Sequence, residues 1–257
     1  MQLERTVRQR VDVVLTLVER DLKLRYRRSV LGIAWSQLGP LATLAVLAIL
    51  FTRAIPLHIP HYPLFVLVGL LAWTWFAAAM VEATASVATS RDLVRTPGMS
   101  LALLPVISIS SHLVNLLLAL PAVVAAIWIV TGHMSITAAL VPLLLAVQFL
   151  VILGPTYFLA AWNVRFRDIG HVVGVALLPL FYATPVFYDR SVIPHGYHVV
   201  LDANPLSWII SGYRDVLIDG NLPSVGPLLI VTVVAVAVAA AGYRTFRVRA
   251  PKFVEEL

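Results

Sequence analysis

Two residue types are almost missing from this chain: there is no cysteine, and the only lysines are Lys23 and Lys252. Without cysteine there is no disulfide framework, no thiolate metal site and no cysteine nucleophile. Neither lysine follows a glycine, so the Gly-x-x-x-x-Gly-Lys-Ser/Thr loop that cradles nucleotide phosphates is absent. No His-Glu-x-x-His helix and no Gly-x-Ser-x-Gly elbow occurs, so zinc-peptidase and serine-hydrolase chemistry find no support. No residue is predicted to be catalytic and no metal or cofactor is expected. Charge is scarce as well. Only 12% of the 257 residues are Asp, Glu, Lys or Arg, against roughly 25% in soluble domains.

What replaces charge is apolar mass. Hydrophobic residues make up 60% of the chain, more than one soluble core of this size can hide, so the solvent for much of this surface is lipid. The fold class expected is an all-α polytopic membrane protein. A crossing takes about 20 apolar residues. Six stretches qualify, at about 33–52, 63–88, 101–130, 136–163, 171–188 and 225–243. The first thirty residues carry eight Lys/Arg and no apolar block, so they do not read as a cleaved signal peptide.

Sixteen of the 19 Lys/Arg fall in the N-terminal segment, the connections after the second and fourth stretches, and the tail. Only Arg53, Arg190 and Arg214 fall on the other side. By the positive-inside rule, both termini are expected to be cytoplasmic. The net charge of +6 therefore reflects membrane orientation and not nucleic-acid binding.

Residues 1–30 form the first expected unit, an amphipathic interface helix, and residues 31–257 a single transmembrane domain. Val7, Val11, Val14, Leu15, Val18 and Leu22 recur at helical spacing, with Arg8, Glu19, Arg20, Lys23 and Arg27 on much of the rest. Such a helix anchors in lipid, docks a cytoplasmic partner, or does both. In the connection 189–224, Asn204-Pro205 is a helix start. Leu206, Ile209, Ile210, Tyr213 and Leu217 then line one face. From 205 to 218 is about 21 Å of helix, too short to cross, so short re-entrant helices on the outer side are expected.

Three features stand out as candidates for function. Glu82 is the one acidic residue well inside a candidate span, within reach of water or Arg91. His112, Asn115 and Gln148 read as interhelical hydrogen bonders. The connection Ser90-Arg91-Asp92-Leu93-Val94-Arg95-Thr96-Pro97-Gly98 suits a short helix with an exposed apolar edge, Leu93 and Val94, for a groove on a partner. The third is the aromatic stretch Leu180–Tyr188. It sets Phe181, Tyr182, Phe187 and Tyr188 near one end of the fifth stretch, with Pro179 and Pro185 interrupting the helix. These rings form either an interfacial belt or the lining of a path for sugars, whose apolar faces pack on aromatic rings while Tyr hydroxyls bond to them.

The order Arg25-Tyr26-Arg27-Arg28-Ser29-Val30-Leu31-Gly32, Trp35, Pro40, Arg165-Phe166-Arg167-Asp168-Ile169, Tyr182–Tyr188, Ile193-Pro194, Asn204-Pro205-Leu206 and Tyr213-Arg214 resembles the permease subunit of bacterial polysaccharide and teichoic-acid exporters, a branch of the type-2 ABC exporters. The resemblance covers roughly residues 21–220. It implies six spans per chain in the bacterial inner membrane, a homodimer, and two ABC ATPase subunits that bind ATP and Mg. The implied substrate is an undecaprenyl-linked glycan moving through a channel at the dimer interface. Phe181, Tyr182, Phe187, Tyr188 and Trp35 then become channel residues. Arg91, Asp92, Leu93, Val94, Arg95 and Pro97 become the ATPase coupling surface, with Arg25, Tyr26, Arg27 and Arg28 on the interface helix. The turn Arg95-Thr96-Pro97-Gly98 is less basic than that family suggests. A drug or lipid exporter of the same superfamily is the rival reading. A secondary carrier would want more buried carboxylates, and an importer permease would need a glycine after Glu82-Ala83-Thr84 that is missing.

Overall fold

The computed structural model describes residues 2–26, 34–54, 58–96 and 98–256, with the side chains at 2–11, 26, 34–37 and 54 left undescribed. Among the described residues every regular element is helical: α1 Gln2–Tyr26, α2 Ala34–Ile49, α3 Tyr62–Thr89, α4 Arg91–Val94, α5 Leu103–Thr131, α6 Val141–Asn163, α7 Asp168–Tyr182, α8 His198–Ala203, α9 Pro205–Arg214, α10 Val225–Arg249 and α11 Phe253–Glu256.

Local chemistry sets the ends. Pro63 opens α3, where its missing N–H costs nothing. Gly132, at φ 76°, closes α5 with its N–H on the Trp128 carbonyl. Ser135 accepts from the Thr137 N–H at the turn into α6. Among the described residues four helices are long and apolar enough to cross a membrane: Tyr62–Thr89, Leu103–Thr131, Ile136–Asn163 and Val225–Glu256. At 1.5 Å per residue α3 is about 42 Å long, beyond the ~30 Å hydrocarbon layer.

The other two expected spans are shorter. α2 has 16 residues and is lengthened by a π-turn, Leu50–Ala54. α7 has 15 residues and stops at Tyr182, not at 188. The cause is local. The backbone before Pro185 is pushed out of the α region, and Val186 closes a tight turn by donating to the Thr184 carbonyl at 2.7 Å. Even so, all six helices alternate in direction between an arginine-rich end and an opposite end. α2 reaches the opposite end, where Phe51 lies beside Tyr62. α7 starts at the basic end, where the Gly170 N–H donates to Asn163 Oδ1 at 2.9 Å.

α3 is the central helix. It is apolar on every side and most of it is buried, whereas α5, α6 and α10 leave most of their surface for lipid. α10 packs closely on α6 through small residues. A Cβ at Gly242 would lie 2.6 Å from the Gly154 carbonyl oxygen, and one at Gly154 would lie 2.9 Å from the Ala239 nitrogen.

Among the described residues the buried side chains form two clusters, with half-buried Leu153 packed against both. The larger runs through α3, α5, α6 and α9. The smaller sits at the basic end and joins Val18, Val87, Val94, Leu104, Tyr157 and Phe246. α1 enters it with Val18 buried and Val14, Leu17 and Leu22 half-buried. Leu15, expected on that face, is instead exposed and Leu17 takes its place.

Candidate functional site

The basic end presents α4. Arg91, Asp92 and Arg95 are exposed there. The expected exposed apolar edge is not: Val94 is buried and Leu93 half-buried, because both are drawn into the smaller cluster. The surface that α4 leaves exposed is therefore polar. A cavity of about 280 Å³ lies between this helix, α1 and α3, with Arg20, Asp21, Glu82, Arg91 and Asp92 in its wall.

Glu82 does not use Arg91. Its Oε1 accepts from Arg25 Nη2 at 2.6 Å, and its Oε2 accepts from His112 Nε2 at 2.7 Å. Arg25 also donates to Asp21 at 2.9 Å. This half-buried ionic cluster fastens α1 to α3 and α5, an outcome spacing alone does not reveal because the partners are 57 and 30 residues apart. Of the other predicted interface residues, the Tyr26 side chain, Arg27 and Arg28 lie outside the described residues. So do Pro97 and the Trp35 side chain. Gln148 behaves as expected, its Nε2 donating to the Ala72 carbonyl of α3 at 2.8 Å.

At the opposite end the four predicted rings come together. Phe181 lies edge-on to Trp73 at 5.3 Å and 5.6 Å from Phe187. Phe187 also stacks on Phe51 at 5.8 Å and meets Tyr188 at 5.1 Å. The four are not equivalent. Tyr182 is 60% exposed and its hydroxyl has no partner among the described residues. Tyr188 is buried, its hydroxyl donating to the Tyr182 carbonyl at 2.9 Å. Phe181 and Phe187 support Tyr182 from below. Phe51, Tyr62 and Trp73 complete the cluster, and no local motif announces them; Tyr62 donates its hydroxyl to the Phe187 carbonyl at 2.7 Å.

The turn that carries these rings is braced by two side chains. Arg214 is only 6% exposed. It donates to the carbonyls of Pro185 at 2.8 Å, Val186 at 2.7 Å and Phe65 at 3.2 Å, and it covers the Phe65 ring at 3.4 Å. Gly69 makes room for this: a Cβ there would stand 2.5 Å from the Val186 oxygen and 2.8 Å from Arg214 Nη2. Asn204 caps α9 by accepting from the Leu206 N–H at 3.0 Å and donates to Thr184 Oγ1 at 2.8 Å. The predicted face is buried: Leu206, Ile209, Ile210 and Tyr213 on α9, and Leu217 on the π-turn Asp215–Asp219 that continues it.

Arg214 is thus a buried brace and not a surface charge, which leaves the opposite end poorer still in exposed cations. In the same connection Arg190 grips both oxygens of Asp202, one at 3.0 Å, and this holds the Asp202 carboxyl below its ordinary value. Burial pushes the Asp189 carboxyl up, but hydrogen bonds from Ser191 and the nearby Arg214 charge outweigh this and leave it lowered. Among the described residues no group of three His, Asp or Glu side chains is placed to hold a metal.

The chain is helical throughout its described regular elements, with a charged turn at its basic end and a braced aromatic turn at the other. The ABC-2 type transporter family matches residues 12–218. The chain is similar to the O-antigen export system permease protein RfbA of Myxococcus xanthus, 32% identical over 259 residues and the full length of both. It is similar to the protein of the same name from Klebsiella pneumoniae, 26% identical over 82% of each chain. It also resembles the polysialic acid transport protein KpsM of Escherichia coli, 24% identical over 90% of this chain and 92% of that one. The chain is a multi-pass membrane protein belonging to the ABC-2 type transporter family.

Proposed function

We propose that this chain is the permease subunit of an ATP-driven exporter that moves a lipid-linked polysaccharide, an O-antigen or similar glycan, across the bacterial inner membrane. The observation that carries this is the full-length similarity to an O-antigen export permease. The basic end is cytoplasmic, so both termini lie inside and all six helices cross. α2 and α7 cross as the short walls of a path that two copies of the chain enclose. Exposed Val175, Leu178 and Tyr182 form one stripe on α7 at helical spacing, which supports placing that helix on the path. α9 dips into the outer leaflet as a re-entrant cap, and Trp35 stands near the inner mouth.

Hydrolysis of ATP with Mg belongs to two partner ATPase subunits. They dock on the polar face of α4, through Arg91, Asp92 and Arg95, and on the interface helix near Arg25. Tyr182 offers a ring face and a free hydroxyl to passing sugars. Binding by such a ring is weak and tolerant of sequence, as sliding requires. Co-purification with a cognate ATPase, followed by ATP-dependent appearance of lipid-linked glycan on the far side of proteoliposomes, tests the proposal. Transport without any ATPase overturns it. ATP-driven movement of small amphipaths with no glycan movement would favour a drug or lipid exporter instead.

A further inference from the structure

The matched family domain stops at residue 218 and leaves α10 and the segment after it outside. That segment is not a loose end. After Arg249, whose guanidinium lies 3.9 Å from the Trp162 ring centroid, the chain turns through Ala250–Lys252 into α11. Its ring, Phe253, is fully buried, as is Phe246 one helical segment earlier. Phe253 meets Phe246 edge-on at 5.2 Å, and Phe246 meets Tyr157 of α6 at 5.5 Å. Tyr157 in turn donates its hydroxyl to the Ala102 carbonyl at 3.1 Å, where the connection that begins at α4 runs into α5. Val94 of α4 and Val18 of α1 belong to the same contiguous cluster.

No fully buried side chain is shared between this cluster and the larger one around α3. Val94 of α4, Val18 of α1 and Phe246 of α10 meet in the smaller cluster together with Val87 of α3 and Tyr157 of α6, so a displacement of α4 is carried to α1 and α10 through it. Close-packed interiors transmit such shifts because they do not compress.

We infer that the hook at residues 250–256 is a coupling element in which Phe253 acts as a positioning residue, locking α4, α1 and the end of α10 into one unit that moves together when the partner hydrolyses ATP. This rests on the exporter reading above. The hook contributes no ligand to ATP or substrate; it sets the register in which α4 pushes.

The test uses the whole permease–ATPase complex. Because the chain has no cysteine, Leu15→Cys, at an exposed position of α1, carries a single environment-sensitive fluorophore. In the parent the fluorescence changes on nucleotide addition. Phe253→Ala is expected to cut that change at least five-fold while hydrolysis stays within about two-fold. Glycan moved per ATP should fall in parallel, and Phe253→Leu should restore both. An unaltered nucleotide response in Phe253→Ala, or hydrolysis and response falling together in proportion, overturns the inference. Should Phe253→Ala fail to assemble, Phe253→Val, which stays apolar but leaves much of the ring's space unfilled, must still halve the response; an intact response there also overturns it. A parent complex that responds to nucleotide and moves no glycan sinks the glycan assignment and leaves the hook standing. A parent that binds no ATPase sinks both.

Discussion

Arg214 and Tyr182 are the two residues whose roles differ most from what their positions suggest. A buried guanidinium survives only when its donors are satisfied, and here three main-chain carbonyls and a ring face do this in place of a carboxylate. Arg214→Ala strands those carbonyls, at about 1–3 kcal/mol for each one left dry. The expected outcome is a fall in thermal stability of the detergent-solubilised protein, with the turn 183–188 the first part to lose protection in hydrogen exchange. A lysine ammonium is a compact centre without the planar fork that reaches the separate carbonyls and lies on the Phe65 ring, so Arg214→Lys should recover only part of the loss.

Tyr182 and Tyr188 should then part company. Tyr182→Ala removes an exposed ring and should lower glycan translocation about ten-fold with stability nearly unchanged. Tyr188→Phe removes one buried hydrogen bond and should cost about 1 kcal/mol of stability with translocation largely kept. Equal effects of the two on translocation would contradict the assignment of Tyr182 as the contact ring. The aromatic run was legible in the sequence. Which ring faces outward was not, because that depends on where α7 stops and on Trp73 and Phe51, both more than a hundred residues away.

Between elements, the long apolar helices follow directly from hydropathy. The expected 63–88 became Tyr62–Thr89 and the expected 136–163 became Ile136–Asn163. Hydropathy failed at 171–188, since it registers apolar mass and is blind to the turn that Thr184-Pro185 imposes. It also passed over the tight α6–α10 contact. Gly154, among Leu, Ile and Val, and Gly242, after an Ala/Val-rich run, look unremarkable, yet each meets backbone at under 3 Å if given a Cβ. Gly242→Leu should force α10 off α6, while the same change at Gly226, which has open space around it, should be tolerated. Comparing the thermal stability of the two variants checks this. The α1 contact is electrostatic in the same sense. Glu82→Arg should loosen the interface helix and raise its protease sensitivity, and the exchange Glu82→Arg with Arg25→Glu should recover at least half of the loss. No recovery would mean the pair at 2.6 Å does not hold the helix.

At the scale of the whole molecule, charge sets direction and packing sets shape. Sixteen Lys/Arg fall toward the basic end and three toward the other, and of those three Arg214 is buried as a brace. The same asymmetry makes a prediction that six crossings must satisfy together. Arg95 lies on the exposed turn after α4, and Tyr197, two-thirds exposed, lies in the connection between α7 and α9. An odd number of crossings separates them if α5, α6 and α7 all span. In right-side-out vesicles a membrane-impermeant maleimide should label Tyr197→Cys and spare Arg95→Cys, and in inverted vesicles the pattern should reverse. Labelling of both from one side would mean that α7, the shortest of the six, does not cross, and a path walled by its exposed stripe would then have to be abandoned.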